Sequence, residues 1–213
     1  MPPSSARGKV PVLSLIRLLF LVLGIGALGY VGFSLLDARL FQTYENWRLN
    51  HAEKKPRHRS SAAEPAVGPA SLSPRRQGQS TTVALGSVLG RLEIGRIGVA
   101  VIVVEGTNGR ALRRAVGHVP GTALPGEQGN VALTGHRDTF FRALRNIRKD
   151  DEVTFTALNG AYRYRVDSVM VVAAEDTTVL NDSGEAILTL VTCYPFYFVG
   201  PAPKRFIVRA HRI

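Results

Sequence analysis

The only cysteine of the chain, Cys193, ends an apolar run at residues 188–193, Leu-Thr-Leu-Val-Thr-Cys, and is followed by Tyr194-Pro195. Leucine and β-branched residues stopped by a proline predict a buried strand that ends at a loop, because proline cannot donate to a sheet ladder. A lone cysteine is more often an inert core residue than a nucleophile. Any chemistry of Cys193 therefore depends on the side chains that lie beside it.

Two other segments contain the groups that a cysteine nucleophile needs. Residues 131–138, Val-Ala-Leu-Thr-Gly-His-Arg-Asp, form an apolar run that ends near His136, and residues 204–210 alternate as a strand does. A thiol needs a neighbouring base or cation to become a thiolate near neutral pH, and imidazole is the usual choice. A guanidinium stays protonated in proteins and suits an oxyanion or a bound carbonyl. His136 and Arg205 are the candidate partners of Cys193.

Arg205 is preferred over two other arginines. If the last strand pairs antiparallel with the strand of Cys193, its first residues return closest to the sulfur, and Arg209 lies about 13 Å further along. Arg137 follows His136 directly and points away from it if the strand continues. Arg137 therefore stays the less favoured alternative.

A metal site is not indicated, because no Cys or His pair has ligand spacing and one cysteine cannot build a thiolate cluster. His118 lies in a turn-rich stretch and is predicted to be structural. A calcium site remains an alternative, because the carboxylates of Glu105, Asp150, Asp151 and Glu152 could meet. A charged turn is the commoner explanation of such a cluster. The sequence also has no GxSxG elbow and no phosphate-binding loop.

The C-terminal two thirds of the chain is predicted to be mostly β. Asn159-Gly160 is a strong hairpin signal, and Phe140, Phe141, Leu144 and Ile147 recur at helical spacing. Short strands with one or two short helices predict a closed or partly closed barrel. The predicted strands are residues 90–97, 99–105, 131–135, 152–158, 162–173, 187–192 and 204–210.

The N-terminal part is predicted to be a membrane anchor. Residues 18–36 carry no charge, and nineteen such residues are about the length that spans the hydrocarbon core. A cleaved signal peptide is the alternative, but its apolar region is usually 7–15 residues long. The predicted organisation is a short tail at 1–17, a transmembrane helix at 18–36, a basic and partly disordered linker at 37–80, and a catalytic domain at 81–213. Residues 41–57 could continue the helix.

The net charge of +11 is concentrated in the linker. The formal net charge, with basic residues counted as positive and acidic residues as negative, is +2 for residues 1–37, +5 for 38–80 and +4 for 81–213. A basic juxtamembrane segment is attracted to anionic lipid or acidic wall polymer. Nucleic-acid binding is not favoured, because no basic strip with interleaved aromatic residues is present. A plain positive-inside count would place the C-terminal side in the cytoplasm.

Together, the motifs resemble those of a known family. The run Thr-Leu-Val-Thr-Cys, with Leu-Thr-Gly-His ahead of it and Lys-Arg-Phe-Ile-Val behind it, is similar to the signature of the sortases, which are membrane-tethered cysteine transpeptidases. The resemblance covers about residues 89–213. Gly-His-Arg-Asp-Thr-Phe-Phe-Arg and Thr-Cys-Tyr-Pro-Phe are most similar to class D sortases.

The resemblance implies an eight-stranded sortase β-barrel in which the histidine, cysteine and arginine meet in one groove, and it matches the family's arginine to Arg205. It implies a catalytic domain outside the cell membrane. The implied reaction cleaves a Leu-Pro-x-Thr-like sorting motif of secreted proteins and transfers the acyl group to an amine acceptor at the cell surface. Thr192, Ala132 and Val191 are predicted to support or line the substrate groove.

Two other functions remain open from the residues alone. A thiol endopeptidase would use the same three side chains but release an acid instead of a new amide. A membrane-tethered binding module without chemistry would leave Cys193 replaceable.

Overall fold

The computed structural model describes residues 12–53 and 83–213. The chain divides into two compact units, Met1–Phe41 and Gln42–Ile213. Helix α1, Val12–Glu53, supplies the described part of the first unit and the beginning of the second.

The first unit is an apolar stretch of α1. Its large apolar side chains are exposed. By length and composition, the apolar segment within Leu13–His51 could cross a membrane, with a mean hydropathy of 2.2. The predicted span, 18–36, lies inside this helix. The helix runs beyond the predicted span at both ends, so the predicted linker at 37–80 begins as helix and stays helical to Glu53. Residues 54–80 of that predicted linker lie outside the described residues.

The second unit is a closed barrel of eight strands, as predicted. The strand order is β1-β2-β3-β4-β7-β8-β6-β5, and β1 pairs with β5 to close it. The strands are β1 (Val88–Ile94), β2 (Val99–Glu105), β3 (Val116–His118), β4 (Asn130–Thr134), β5 (Glu152–Ala157), β6 (Gly160–Ala173), β7 (Ile187–Tyr194) and β8 (Lys204–Arg212).

Alternation along the strands fills the barrel interior. Leu188 and Leu190 of β7 pack inward with Val208 of β8 and Leu133 of β4, while the intervening residues face outward. Apolar surface removed from water stabilises such a core by about 25 cal/mol per Å². Side chains at the alternate strand positions lie on the outer face of the barrel.

The sequence prediction missed several short elements. Helix α2, Gly109–Arg114, begins after Asn108, whose side chain accepts hydrogen bonds from two backbone N–H groups of the first turn. The predicted helix ending at Ile147 is a short 3-10 helix, Arg142–Asn146. The β5–β6 hairpin turns at Leu158-Asn159, one residue before the predicted Asn159-Gly160 turn, because Gly160 already pairs with Ala157.

The last turns of α1, within the second unit, pack on the barrel. The Gln42 side chain accepts a hydrogen bond from Ile102 N at 2.8 Å and donates one to Arg114 O at 2.7 Å. β3 begins to pair with β2 only at Val103, so Gln42 satisfies an N–H that has no strand partner on that side. Leu49, further along α1, is also buried. The end of α1 is therefore part of the second unit, together with the barrel.

An ion pair between the buried Asp151 carboxylate and the exposed Arg96 guanidinium links the β1–β2 turn to the start of β5. The Asp151 carboxylate accepts hydrogen bonds from the Arg96 guanidinium and, at 2.8 Å, from Arg148 N. The Arg96 hydrogen bonds hold the pKa of Asp151 below its ordinary value, and the Arg148 N–H adds to the effect. Because the folded-state pKa of Asp151 is lowered, this contribution to stability is fully present above the ordinary aspartate pKa and is lost as the pH falls below that value through the folded-state pKa.

We expect Asp151→Asn to lower the free energy of unfolding by about 1 kcal/mol at pH 7, because the carboxylate charge that binds Arg96 is lost while water screens the exposed guanidinium. The difference from wild type should shrink as the pH falls below the ordinary aspartate range, where the wild-type carboxylate also becomes protonated. Thermal unfolding of the full chain in detergent, from pH 7 to pH 3, measures both effects. A difference that is independent of pH would contradict this account.

Candidate active site

Three neighbouring strand ends come together at one edge of the barrel. β4 pairs in parallel with β7, and β7 pairs antiparallel with β8, so the ends of β4 and β7 and the start of β8 meet at the same edge. The sequence prediction placed its three catalytic candidates at these positions. The strand pairing therefore decides which of their side chains share a surface.

Cys193 and Arg205 are direct partners in the β7–β8 ladder. Opposed residues on antiparallel strands place their Cβ atoms about 4.5–5.5 Å apart on the same face. Both side chains are half-buried on the outer face of the barrel. The antiparallel return predicted from the sequence is present, with Arg209 four residues further along the same strand.

His136 follows β4 at the level of Cys193. The β4–β7 ladder keeps a constant offset of 57 residues, from Asn130↔Ile187 to Thr134↔Val191, and the same offset relates His136 to Cys193. A hydrogen bond from Gly135 N to Val191 O at 3.2 Å continues the parallel pairing by one step. Adjacent strands lie about 4.8 Å apart. The backbone thus brings the exposed imidazole to the edge occupied by the sulfur.

Thr192 ties the two segments together. It points inward, is buried, and its hydroxyl donates to Gly135 O at 2.7 Å. The bond joins the residue before the cysteine to the residue before the histidine. Gly135 is itself confined, since a Cβ there would lie 3.0 Å from the Phe141 ring. The predicted supporting role of Thr192 stays a prediction, and its contact here is with the protein.

We expect Thr192→Val to lower the free energy of unfolding by about 1–3 kcal/mol, because the isosteric methyl leaves the buried Gly135 carbonyl without its donor. Thr192→Ser keeps the hydroxyl and should recover most of the loss. Thermal unfolding of the three full-length proteins measures the series. Equal melting temperatures for Thr192→Val and wild type would show that the hydrogen bond contributes nothing.

The other two predicted substrate-binding residues differ in exposure. Val191 is half-buried on the outer face of β7, in line with Cys193. Ala132 is fully buried, and residues 119–122 lie along the edge of β4 beside it: Val119 N donates to Ala132 O at 2.9 Å and Ala132 N donates to Thr122 Oγ1 at 3.3 Å. Because Ala132 exposes no surface, the predicted contact with substrate is the weaker of the two.

The β7–β8 loop, residues 195–203, borders the site and has two parts. Tyr194 and Phe196 pack against Phe206 with ring centroids 6.3 and 5.1 Å away. The next residues leave this cluster, and Tyr197 and Val199 are 78% and 95% exposed. Arg205 Nη1 donates to Ala202 O at 3.1 Å and to Lys204 O at 3.0 Å, so this guanidinium also supports the end of the loop.

A buried polar network covers the other end of the outer face. Thr189 donates to Asn130 Oδ1 at 2.7 Å, and Asn130 Nδ2 donates to Val179 O at 3.0 Å and to Asn181 O at 3.2 Å. The network holds the β6–β7 connection against β4 and β7. Sequence reasoning noted that Thr189 shares the Cys193 face but missed Asn130, whose only local signal is a polar residue at the start of an apolar run.

Three of the four acidic residues considered for calcium have another side-chain partner. Glu105 Oε2 lies 2.7 Å from His118 Nδ1 in a buried pair, Asp151 binds Arg96, and Glu152 binds Arg163 at 3.0 Å. Within residues 12–53 and 83–213, no group of three or more His, Cys, Asp or Glu side chains could hold a metal ion. Among these described residues, Glu105, Asp150, Asp151 and Glu152 therefore form no such group. His118 is buried and hydrogen-bonded, which fits its predicted structural role.

Comparison with known proteins gives consistent similarities. The sortase domain family model matches residues 92–213. Sortase D of Bacillus subtilis (strain 168) is 34% identical over 206 residues, which are 93% of this chain and 98% of the relative.

Solved structures are similar as well. A sortase D5 transpeptidase from Clostridium perfringens superposes with a TM-score of 0.57 at 31% identity, covering 62% of this chain and 83% of the other. Sortase A from Corynebacterium diphtheriae superposes with a TM-score of 0.57 at 32% identity, covering 61% of this chain and 62% of the other.

Proposed function

Because this chain belongs to the sortase family, whose members are cysteine transpeptidases, we propose that it cleaves a C-terminal sorting motif of secreted proteins and joins the new carboxyl end to an amine. The observation that carries the proposal is the register of three neighbouring strands. It sets Cys193 opposite Arg205 and brings His136 to the same edge of the barrel.

The first step is acylation of the cysteine. The Cys193 thiolate attacks the carbonyl carbon of the scissile peptide, forming a C–S bond and a tetrahedral oxyanion. The Arg205 guanidinium donates to this oxyanion, and protonated His136 gives its proton to the leaving amine as the C–N bond breaks. The products are a thioester on Cys193 and a free amine-terminated peptide.

The second step returns the enzyme to its starting state. The amine of an acceptor attacks the thioester carbonyl, neutral His136 takes the proton that the amine loses, and the C–S bond breaks to release the Cys193 thiolate. Hydrolysis follows the same path with water in place of the amine. The nature of the nucleophile therefore decides between transfer and cleavage.

The substrate surface is proposed to include Val191 and the aromatic residues at the start of the β7–β8 loop. These apolar groups suit the leucine and proline side chains of a Leu-Pro-x-Thr-like motif. Thr192 supports the site through Gly135, and Ala132 forms part of its buried floor.

The apolar part of α1 is the proposed membrane anchor, with the catalytic unit on the outer side of the cell membrane. Sorting-signal proteins and amine acceptors at the cell surface are the proposed partners. The positive charge counted between residues 38 and 80 fits attraction to anionic lipid headgroups.

The test is mass spectrometry of the full chain in detergent with a Leu-Pro-x-Thr-Gly peptide library, with and without an added amine. Transpeptidation gives a peptide carried as a thioester on Cys193 and, with amine present, a new amide product. A free acid that the amine does not divert indicates the endopeptidase instead. Absence of any adduct across the library would overturn the proposal.

A further inference from the structure

Arg137 joins the segment that contains His136 to the β7–β8 loop. Its Nη2 donates to Phe198 O at 2.7 Å and to Gly200 O at 3.1 Å. Its guanidinium carbon also lies 6.0 Å from the centroid of the Phe198 ring. One side chain therefore binds two carbonyls and one ring of a loop more than sixty residues away in the sequence.

The bound part of the loop has little apolar packing of its own. Phe196 packs on the barrel, but Tyr197 and Val199 extend into solvent. Segments with few buried apolar contacts open at low free-energy cost unless other interactions hold them. Apart from a long hydrogen bond from Phe198 N to Pro195 O and from Arg205 at the end of the loop, the side chains of the described residues that contact this stretch are Arg137 and Arg145. The Arg145 guanidinium carbon lies 5.8 Å from the Tyr197 ring centroid.

Arg137 binds the loop through one terminal nitrogen of its guanidinium, while the other nitrogen has no partner among the described residues. Hydrogen bonds from a charged donor are stronger than neutral ones, and a planar guanidinium can bind carbonyls while it stacks on a ring. Arg137 Nη1, however, is buried and has no hydrogen-bond partner among the described residues. Opening the loop would return this N–H to water, which offsets part of the cost of breaking the other contacts. The contact is thus suited to reversible closure.

We propose that Arg137 is a positioning residue that latches the β7–β8 loop to the His136 segment and so holds the wall of the substrate cleft. The proposal rests on the transpeptidase function proposed above. The sequence reasoning considered Arg137 only as a rival to Arg205. Its position after His136 turns its side chain to the loop instead of to the sulfur.

Loss of the latch should act on binding more than on chemistry. If the competent loop arrangement becomes a minor population, the apparent affinity for peptide falls by that fraction, while substrate once bound still meets Cys193, His136 and Arg205. For Arg137→Ala we expect KM to rise about tenfold and kcat to stay within about threefold of wild type. Arg137→Lys keeps the positive charge but not the planar guanidinium, so its KM should lie between those of wild type and Arg137→Ala.

The experiment compares the full-length variants in detergent by hydrogen exchange and by peptide kinetics. Arg142→Ala is the matched control, because Arg142 is an exposed arginine on the same segment with no side-chain contact to the loop among the described residues. Exchange at residues 197–202 should accelerate about tenfold in Arg137→Ala and not in Arg142→Ala. Phe198→Ala removes the ring but keeps both carbonyls, so its effect should be smaller than that of Arg137→Ala.

Three results would overturn the latch. Exchange at residues 197–202 could be the same in Arg137→Ala and wild type, Arg142→Ala could match Arg137→Ala, or kcat could collapse with KM unchanged. The hydrogen-exchange comparison needs no turnover, so it tests the latch even if the wild-type enzyme forms no thioester. That outcome in the mass-spectrometric test counts against the proposed function alone.

Discussion

Cys193→Ala is expected to abolish thioester formation and to lower the rate of peptide cleavage by at least about 10⁴-fold, because no other group can accept the acyl chain. Cys193 is the only cysteine of the chain, so no second thiol can substitute for it. Its position at the end of β7 is set by the ladder to β8, and removal of a half-buried sulfur should leave that ladder intact. Intact-mass analysis after incubation with peptide measures the adduct, and product formation measures the rate.

The control for Cys193→Ala is a test that the variant is still folded and still binds peptide. Cys193→Ala should keep the melting temperature of the wild type within a few degrees, and peptide should still protect residues 197–202 from hydrogen exchange. A Cys193→Ala protein that cleaves peptide at the wild-type rate would remove the nucleophile from the mechanism. A Cys193→Ala protein that keeps full activity in cells without cleaving peptide would instead make the membrane-tethered binding module the better description of the chain.

The catalytic candidates could be chosen from sequence because strand ends are easy to recognise. An apolar run that stops at Pro195, another that stops at Gly135, and an alternating run after a loop define three strand ends without tertiary information. What alternation cannot provide is the neighbour of each strand. The sequence argument assumed that β7 pairs with β8, whereas the β4–β7 parallel pairing, which brings His136 to Cys193, depends on a crossover that no local pattern shows.

Side-chain partners were the part that sequence could not supply. Arg137 and Arg205 are both arginines near the predicted groove, and only the structure shows which carbonyls each one binds. Arg137 binds Phe198 O and Gly200 O, whereas Arg205 binds Ala202 O. The same holds for the end of α1. The sequence allows residues 41–57 to continue the apolar helix, and α1 does run to Glu53, but no local pattern shows that Gln42 binds the exposed backbone of β2.

Arg205→Ala is expected to lower kcat by about 10²–10³-fold, since an oxyanion donor contributes about 3–4 kcal/mol to the barrier. The guanidinium is the group opposite Cys193 in the β7–β8 ladder, where charge develops on the carbonyl oxygen. Arg205→Lys keeps a positive charge but not the fork that also binds Ala202 O, so it should recover only part of the rate. Single-turnover acylation, followed by intact mass, measures the step directly.

Arg209→Ala is the matched control for this prediction. Arg209 is on the same strand and the same outer face as Arg205, but it pairs with Thr189, four residues from Cys193 along β7. Its loss removes the same charge without removing a donor at the reacting carbonyl, so acylation should stay within about threefold of wild type. Equal losses in the two variants would mean that positive charge at large, rather than a hydrogen bond to the oxyanion, supports the reaction. Loss of rate in Arg205→Ala through KM alone would instead make Arg205 a loop support, acting through the carbonyls of Ala202 and Lys204.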